Sequence, residues 1–323
     1  MQCPGREGTI FPHQLPAAEA PRAGKGKPLK PKLIVIVGTN ASGKSALAVQ
    51  LAKRCGGEIV SADSRQVYRG MDLGSGKIRP EEMDGVPHHL LDVVEPGAFF
   101  SMADFQRLAY DAIDSILARG RQPFLAGGTG LYISAVTDGY VLSEKKPDPA
   151  LRARLETFST PELYEMLLRR MPETDVDPRN RHRVMRMLEK LEAGDSGPAP
   201  CRPRYETLKL GVTWPRETLK QRIDERLERR LREGMADEVR ALLDAGVSEE
   251  FLIKLGLEYK YLTWYLTGKM SYEQMKEELG LAIKRFAKRQ MTWFRKDPEI
   301  LWLDMAGDPL AQALAAIGAF RNS

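Results

Sequence analysis

Cysteine is scarce in this sequence, and long apolar runs are missing. The three cysteines, Cys3, Cys55 and Cys201, are widely separated among 323 residues, which excludes a disulfide framework and the spacing of CxxC zinc sites. No stretch approaches the roughly eighteen consecutive apolar residues that a membrane-spanning helix requires. These absences predict a protein of the reducing cytoplasm with no membrane span.

Neither sign of charge dominates the chain, since 49 Lys and Arg residues face 44 Asp and Glu residues. This small basic excess is compatible with a polyanionic partner but does not require one. Apolar residues make up 42% of the chain, enough for a substantial core, and the length predicts two domains or one domain with an insertion. The first 31 residues are rich in proline and lack the apolar centre of a signal peptide, which predicts a disordered extension over 1–31.

Strand and helix patterns alternate along the first half of the chain. Short β-branched or apolar runs at 32–37, 58–62 and 122–126 predict buried strands, whereas the apolar spacing at 46–55 and 101–119 predicts helices. Glycine-rich turns follow the first and third of these strands. The pattern predicts an α/β fold of the P-loop type, with a mostly parallel sheet flanked by helices and ligands at the carboxyl ends of the strands.

The character of the sequence changes between residues 141 and 203. Charged helical patterns cover 149–158, 161–171 and 180–193, and a Gly/Pro-rich loop covers 194–203. We therefore predict an all-helical insertion over 141–203 within a catalytic core formed by 32–140 and 204–323. The second part of that core is predicted to contain a strand at 208–214, long charged helices at 216–245 and 271–295, and a closing strand at 300–303.

A glycine-rich segment follows the first predicted strand and fits the pattern G-x-x-x-x-G-K-[ST]. Its residues are Gly38, Thr39, Asn40, Ala41, Ser42, Gly43, Lys44 and Ser45. Backbone N–H groups and the Lys44 ammonium suit phosphate oxygens, and the Ser45 hydroxyl can bind Mg²⁺. The segment predicts a diphosphate-binding loop, although the pattern alone does not say which diphosphate.

Asp63 stands at the carboxyl end of the second predicted strand, at the edge of the sheet where the glycine-rich loop lies. A carboxylate there could take a proton from a nucleophile that attacks a loop-bound diphosphate ester. A helix cap or an outer ligand of magnesium is the alternative role for Asp63.

The sequence resembles the tRNA dimethylallyltransferases, also called tRNA isopentenyltransferases, in their bacterial form without a C-terminal zinc finger. The matching segments follow the family's order and cover most of residues 32–303. They are 38–45, 63–72, 74–77, 87–92, 100–105, 127–132, 180–189, 222–226, 233–239 and 287–295.

This resemblance implies transfer of a dimethylallyl group from dimethylallyl diphosphate to N6 of the adenosine 3′ of the anticodon in tRNA. It implies that Asp63 is the general base, that Lys44 and Arg226 neutralise the diphosphate, and that Mg²⁺ binds at Ser45. From the sequence alone, Arg226 could instead be one charge on a solvated helix face.

The resemblance also implies contacts with the anticodon stem-loop. The residues concerned are Asp63, Ser64, Arg65, Gln66, Thr129, Arg152, His182, Arg183, Val184, Met185, Arg186, Leu255, Gly256, Leu257, Glu258, Tyr259 and Lys260. Residues 179–190 form a basic strip in which Glu189 is the one acidic residue; ordinary solvated charge is its alternative interpretation. Thr129 could serve only a tight turn. The chain departs from the family at Ser75 and Gly76, where threonine and alanine are usual, and at Glu258, where glycine is common.

Three other functions remain open at this level. A P-loop kinase or NTPase would need a further strand-terminal carboxylate for Mg²⁺, and none is evident besides Asp63. A tRNA-binding protein without activity is disfavoured because the lysine, the serine and the base are all present. Prenyl transfer to free adenine nucleotides is the third, and the basic insertion argues against it. We expect a monomer.

Overall fold

The structure is a computed structural model that describes residues 30–142, 148–194 and 200–323. In these ranges the chain forms six strands, which are β1 Lys32–Val37, β2 Gly57–Ala62, β3 His88–His89, β4 Gln122–Gly127, β5 Glu206–Thr213 and β6 Ile300–Asp304. They form one sheet in the order β3-β2-β4-β1-β5-β6, with every neighbouring pair parallel. The predicted α/β fold with a parallel sheet is confirmed.

Helices cover both faces of this sheet and form a separate group after β4. They are α1 Lys44–Cys55, α2 Pro80–Met83, α3 Met102–Ala118, α4 Gly130–Ser134, α5 Pro149–Glu156, α6 Thr160–Arg170, α7 Arg181–Glu192, α8 Arg216–Arg232, α9 Met235–Asp244, α10 Glu249–Leu255, α11 Leu257–Leu266, α12 Tyr272–Phe294 and α13 Pro309–Asn322. A π-helical turn at Ala135–Gly139 follows α4. No helix in the described ranges is both long enough and apolar enough to cross a membrane.

Strand β1 shows why the sheet is buried on both faces. Leu33 and Val35 pack into an apolar cluster with α3, whereas Ile34 and Ile36 pack into a second cluster with α1 and α13. Successive side chains of a strand point to opposite faces, so a continuous apolar run is stable only between two layers of helices. The run at 32–37 therefore specifies a central strand.

The order of the strands places three loops at one edge of the sheet. Strand β4 lies between β2 and β1, so the loop after β4 lies between the glycine-rich loop after β1 and Asp63 after β2. Carboxyl ends of parallel strands meet at the same edge, which is where ligands bind in open α/β sheets.

Helices α5, α6 and α7 pack against one another around their own apolar cluster, which includes Leu155, Leu163, Leu167 and Val184. The helices predicted for this stretch are confirmed, with ends shifted by one or a few residues. The division of the chain into a core and an insertion remains a prediction.

One predicted helix is wrong, because 216–245 is two helices. Gly234 adopts φ 95°, a left-handed conformation that favours glycine, and the chain turns there between α8 and α9. The two-residue strand β3 and helices α10, α11 and α13 were not predicted.

Parts of two predicted irregular segments fall outside the described residues. These parts are 1–29 of the predicted extension at 1–31 and 195–199 of the predicted loop at 194–203. The carbonyl of Pro31 accepts the N–H of Glu206 at 2.9 Å, so Pro31 already extends the pairing of β1 with β5.

Candidate active site

The glycine-rich loop after β1 is fixed by hydrogen bonds from other parts of the chain. The Trp214 indole N–H donates to the Ser42 carbonyl at 2.9 Å, and the Arg222 guanidinium donates to the Ala41 carbonyl at 3.0 Å. The Arg222 guanidinium also stacks over the Trp214 ring at 4.8 Å. Gly38 cannot be replaced without a clash, since a Cβ there would lie 2.5 Å from a methyl group of Val212. The loop is therefore held before any ligand binds.

An open cleft of about 510 Å³ lies beside this loop. Its walls contain the predicted site residues Lys44, Ser45, Asp63 and Arg226, together with Gln66. The loop supplies one wall, the segment after β2 a second, and helix α8 a third. The structure thus brings the predicted diphosphate loop, general base and second cation into one cavity.

Positive charge exceeds negative charge in this cleft. Burial lowers the pKa of Lys44 to about 8, and the nearby Asp63 carboxylate only partly opposes that shift. Burial also lowers the pKa of Arg226 to about 9, with a further contribution from the neighbouring Arg230. The lowered pKa values of these half-buried cations mean that the site favours a bound anion, which would offset the excess positive charge.

Asp63 follows β2 in a backbone segment that is held on both sides. Its carboxylate is 9% exposed and accepts the backbone N–H of Arg65 at 3.0 Å. Thr129, in the loop after β4, donates its N–H to the Ala62 carbonyl at 3.2 Å, and its hydroxyl oxygen accepts the N–H of Ser64 at 3.1 Å. The two residues that flank Asp63 are therefore both bonded to Thr129.

A buried ion-pair network borders the cleft. Glu258 accepts from Arg65 at 2.5 Å and lies 3.5 Å from the Arg230 guanidinium. Burial alone would raise the pKa of Glu258, but the two guanidinium groups outweigh it and the pKa is lowered. Gly76 has φ 67°, a conformation that favours glycine, and a Cβ there would displace the guanidinium ends of Arg226 and Arg230.

Several residues predicted to contact RNA have their side chains engaged inside the protein. Arg65 and Glu258 pair with each other, and the hydroxyl of the buried Tyr259 donates to Glu238 at 3.0 Å. The Gln66 amide donates to the Gly76 carbonyl at 3.2 Å. A direct contact between these side chains and RNA would require a rearrangement.

Lys260 differs from these residues, because its ammonium lies over the Trp264 ring at 4.3 Å on a half-buried surface. Leu255, Gly256 and Leu257 are also half-buried.

The predicted basic strip divides into exposed and engaged residues. His182 and Arg183 are exposed on α7, whereas Val184 and Met185 are buried. Glu189 is buried and pairs with Arg152 at 2.7 Å and with Arg186 at 3.1 Å. Arg181 donates to the carbonyls of Phe158 at 2.6 Å and Glu156 at 3.0 Å. None of these residues lines the cleft in the described part of the chain.

Four residues that shape this site were not predicted from the sequence. Arg222 and Arg230 flank Arg226 at intervals of four, so they lie on one face of α8. This spacing could have predicted from the sequence that they lie near the same site. Trp214 and Gln290 contact the glycine-rich loop across long distances in the chain, and no local pattern indicates such contacts.

The donor set fits a magnesium ion that arrives with its phosphate ligand. Ser45 is exposed to the cleft in the first turn of α1, and its hydroxyl can supply one oxygen. Among the described residues no group of three or more His, Cys, Asp or Glu side chains could hold a metal by itself. Mg²⁺ usually keeps several waters and binds through one or two protein oxygens plus substrate phosphates.

A parallel α/β sheet with a glycine-rich loop and a basic cleft at its carboxyl edge is the arrangement typical of α/β proteins that bind phosphate groups. Comparisons with known proteins narrow this class. The family model described as IPP transferase matches residues 66–297. The tRNA dimethylallyltransferase 2 of Shewanella sediminis is 42% identical over 291 residues, which cover 87% of this chain and 96% of that protein. The chain belongs to the IPP transferase family.

Solved structures agree with this assignment. The full-length tRNA isopentenylpyrophosphate transferase of Bacillus halodurans matches with a TM-score of 0.70 and 39% identity, covering 91% of this chain and 96% of that one. A eukaryotic dimethylallyltransferase, described as acting on tRNA, matches with a TM-score of 0.72 and 28% identity, covering 85% of this chain and 74% of that one. The expected family and its transferase fold are therefore confirmed.

Proposed function

We propose that this protein transfers the dimethylallyl group of dimethylallyl diphosphate to N6 of the adenosine 3′ of the anticodon in tRNA. The observation that carries the proposal is the meeting of Lys44, Arg226 and Asp63 in one cleft beside the glycine-rich loop. This arrangement offers cations for a diphosphate and a carboxylate for a nucleophile. Membership of the IPP transferase family supports the same donor and acceptor.

The donor binds with its diphosphate against the glycine-rich loop. Lys44, at the start of α1, and Arg226, on α8, both line the cleft and neutralise the diphosphate as it departs. The Ser45 hydroxyl would hold Mg²⁺ together with the diphosphate, and a bound ion would add positive charge at the leaving group. Because an allylic carbon ionises readily, neutralisation and positioning supply most of the required catalysis.

The transfer exchanges one bond for another at the first carbon of the allyl group. The bond from this carbon to the diphosphate oxygen breaks, and its electron pair leaves with the diphosphate. The adenine N6 lone pair forms the new C–N bond, and Asp63 accepts the proton that N6 releases. Asp63 is suited to this role because its backbone is fixed by Thr129 on both sides.

The acceptor is the anticodon stem-loop, which must present one base outside its stack. His182 and Arg183 on α7, together with Lys260 on α11, offer exposed or half-exposed cationic or polar side chains for the RNA backbone. We expect the protein to act as a monomer in the cytoplasm, where its RNA substrate is found.

The proposal is tested by incubating the purified protein and Mg²⁺ with dimethylallyl diphosphate and, separately, tRNA, AMP and ATP. Digestion to nucleosides and mass spectrometry should find one dimethylallyl group on adenosine from tRNA only. Prenylated AMP or ATP would instead indicate a free nucleotide as acceptor. Hydrolysis of ATP without any prenylated product would indicate a P-loop NTPase and contradict the proposal.

A further inference from the structure

The side chain of Gln290 joins two loops of the site that are far apart in the sequence. Gln290 lies on α12 and is 6% exposed. Its amide oxygen accepts the backbone N–H of Asn40, in the glycine-rich loop, at 3.0 Å, and its amide nitrogen donates to the carbonyl of Gly128 at 2.9 Å. One partner is a donor and the other an acceptor, so only one orientation of the amide satisfies both.

The loop after β4 is shaped to receive this helix. A Cβ at Gly128 would lie 2.6 Å from the Gln290 amide nitrogen, and a Cβ at Gly130 would lie 2.3 Å from the Trp293 ring. Gln290 and Trp293 are three residues apart and therefore lie on one face of α12. The two glycines let that face approach the loop closely.

The same loop holds the backbone around Asp63. Gly128 is followed by Thr129, which is bonded to both residues that flank Asp63. A continuous series of contacts thus leads from Asn40 through Gln290, Gly128 and Thr129 to the segment of Asp63. Since β4 lies between β1 and β2, this series of contacts crosses the site from the donor side to the acceptor side.

We propose that Gln290 is a positioning residue that fixes the glycine-rich loop relative to Asp63, and so sets the distance between the bound diphosphate and the general base. The proposal rests on the proposed function. Gln290 does not line the cleft, so it contacts neither reactant. Its effect reaches the reaction through geometry, in which small displacements of reacting groups are costly.

The test compares Gln290→Met, which keeps the length of the side chain but removes both hydrogen bonds, with Thr292→Ala, an exposed position on the same helix. We expect Gln290→Met to lower kcat about tenfold to a hundredfold. The Kd for the anticodon stem-loop should change less than about threefold, because no RNA contact is removed. Thr292→Ala should match the wild type. A folded Gln290→Met variant with wild-type kcat would overturn the proposal.

A second variant covers the case in which Gln290→Met does not fold. In Gln290→Glu a carboxylate can still accept from Asn40 but cannot donate to Gly128, whereas the protonated acid can do both. We expect a loss of kcat near pH 8 whose ratio to the wild type recovers as the pH is lowered. Wild-type kcat throughout, or a loss that does not recover, would overturn the proposal. If the wild type itself does not prenylate tRNA, the proposed function fails instead.

Discussion

At the scale of single residues, Asp63 and Lys44 illustrate two different uses of charge in one cleft. Lys44 is a half-buried cation whose lowered pKa reflects a desolvation cost that a bound diphosphate would offset. Asp63 has its backbone fixed by Thr129, and its carboxylate already accepts one N–H bond. Loss of Lys44 should therefore affect binding of the donor, whereas loss of Asp63 should affect the chemical step.

The substitution Asp63→Asn tests the role of Asp63 as the general base. The amide oxygen can still accept the Arg65 N–H, but the side chain can no longer take a proton. We expect kcat to fall about 10²- to 10⁴-fold while the affinity for the stem-loop stays unchanged. Asp111→Asn, at an exposed position on α3, provides the control. Near-normal turnover of Asp63→Asn in single-turnover assays would remove Asp63 from the mechanism.

Glu258 predicts a pH-dependent contribution to stability. Glu258→Gln leaves Arg65 and Arg230 buried without their carboxylate, which should lower the free energy of unfolding by about 3–5 kcal/mol near neutral pH. Because the pKa of Glu258 is lowered by folding, its contribution is present above the ordinary glutamate range and is lost as the pH falls below it.

Urea unfolding of both proteins at several pH values measures this difference. Glu250→Gln is a matched control, since Glu250 is exposed and its pairing with Lys254 contributes little. The difference between wild type and Glu258→Gln should shrink towards acid pH. A difference that is small at neutral pH, or independent of pH, would show that the network does not stabilise the fold.

At the scale of secondary-structure elements, the arginines of α8 differ in their surroundings according to the helix face on which they lie. Arg222, Arg226 and Arg230 recur every fourth residue and face the cleft or its border, whereas Arg232 is exposed. The sequence could predict a helix here and, through the family resemblance, Arg226. It could not show which face is buried, since that depends on α12, which packs against α8 from a distant part of the chain.

Arg226→Gln tests the role of this face. Removal of one charge-assisted contact to the diphosphate should raise the KM for dimethylallyl diphosphate about tenfold to a hundredfold. The Kd for the stem-loop should be unaffected. Arg232→Gln on the same helix should leave both constants at their wild-type values. Equal effects of the two substitutions would mean that α8 acts only through its overall charge.

At the scale of the whole molecule, the sequence is most informative where interactions are local. The continuous apolar run of β1, the glycine-rich loop and the helices between 148 and 194 follow from neighbouring residues, and all are present where predicted, with helix ends shifted by one or a few residues. Arg181 shows the limit. Its charge indicated an RNA contact, but the carbonyls at the end of α5 engage it in the folded chain. Tertiary partners of this kind have no signature in the local sequence.

The difference between exposed and engaged arginines in the basic strip on α7 gives a prediction for RNA binding. Arg183 is exposed, so if it holds a backbone phosphate, Arg183→Ala should weaken stem-loop binding and flatten the plot of log affinity against log salt by about 0.7–0.9. Arg181→Ala should reduce the thermal stability of the α5–α7 group and leave that slope unchanged, because its guanidinium is bonded within the protein. Titrations of labelled stem-loop at several salt concentrations separate these effects. A wild-type slope for Arg183→Ala would assign α7 a structural role and move the predicted RNA contacts to the region around Lys260, where an ammonium and two aromatic rings lie together.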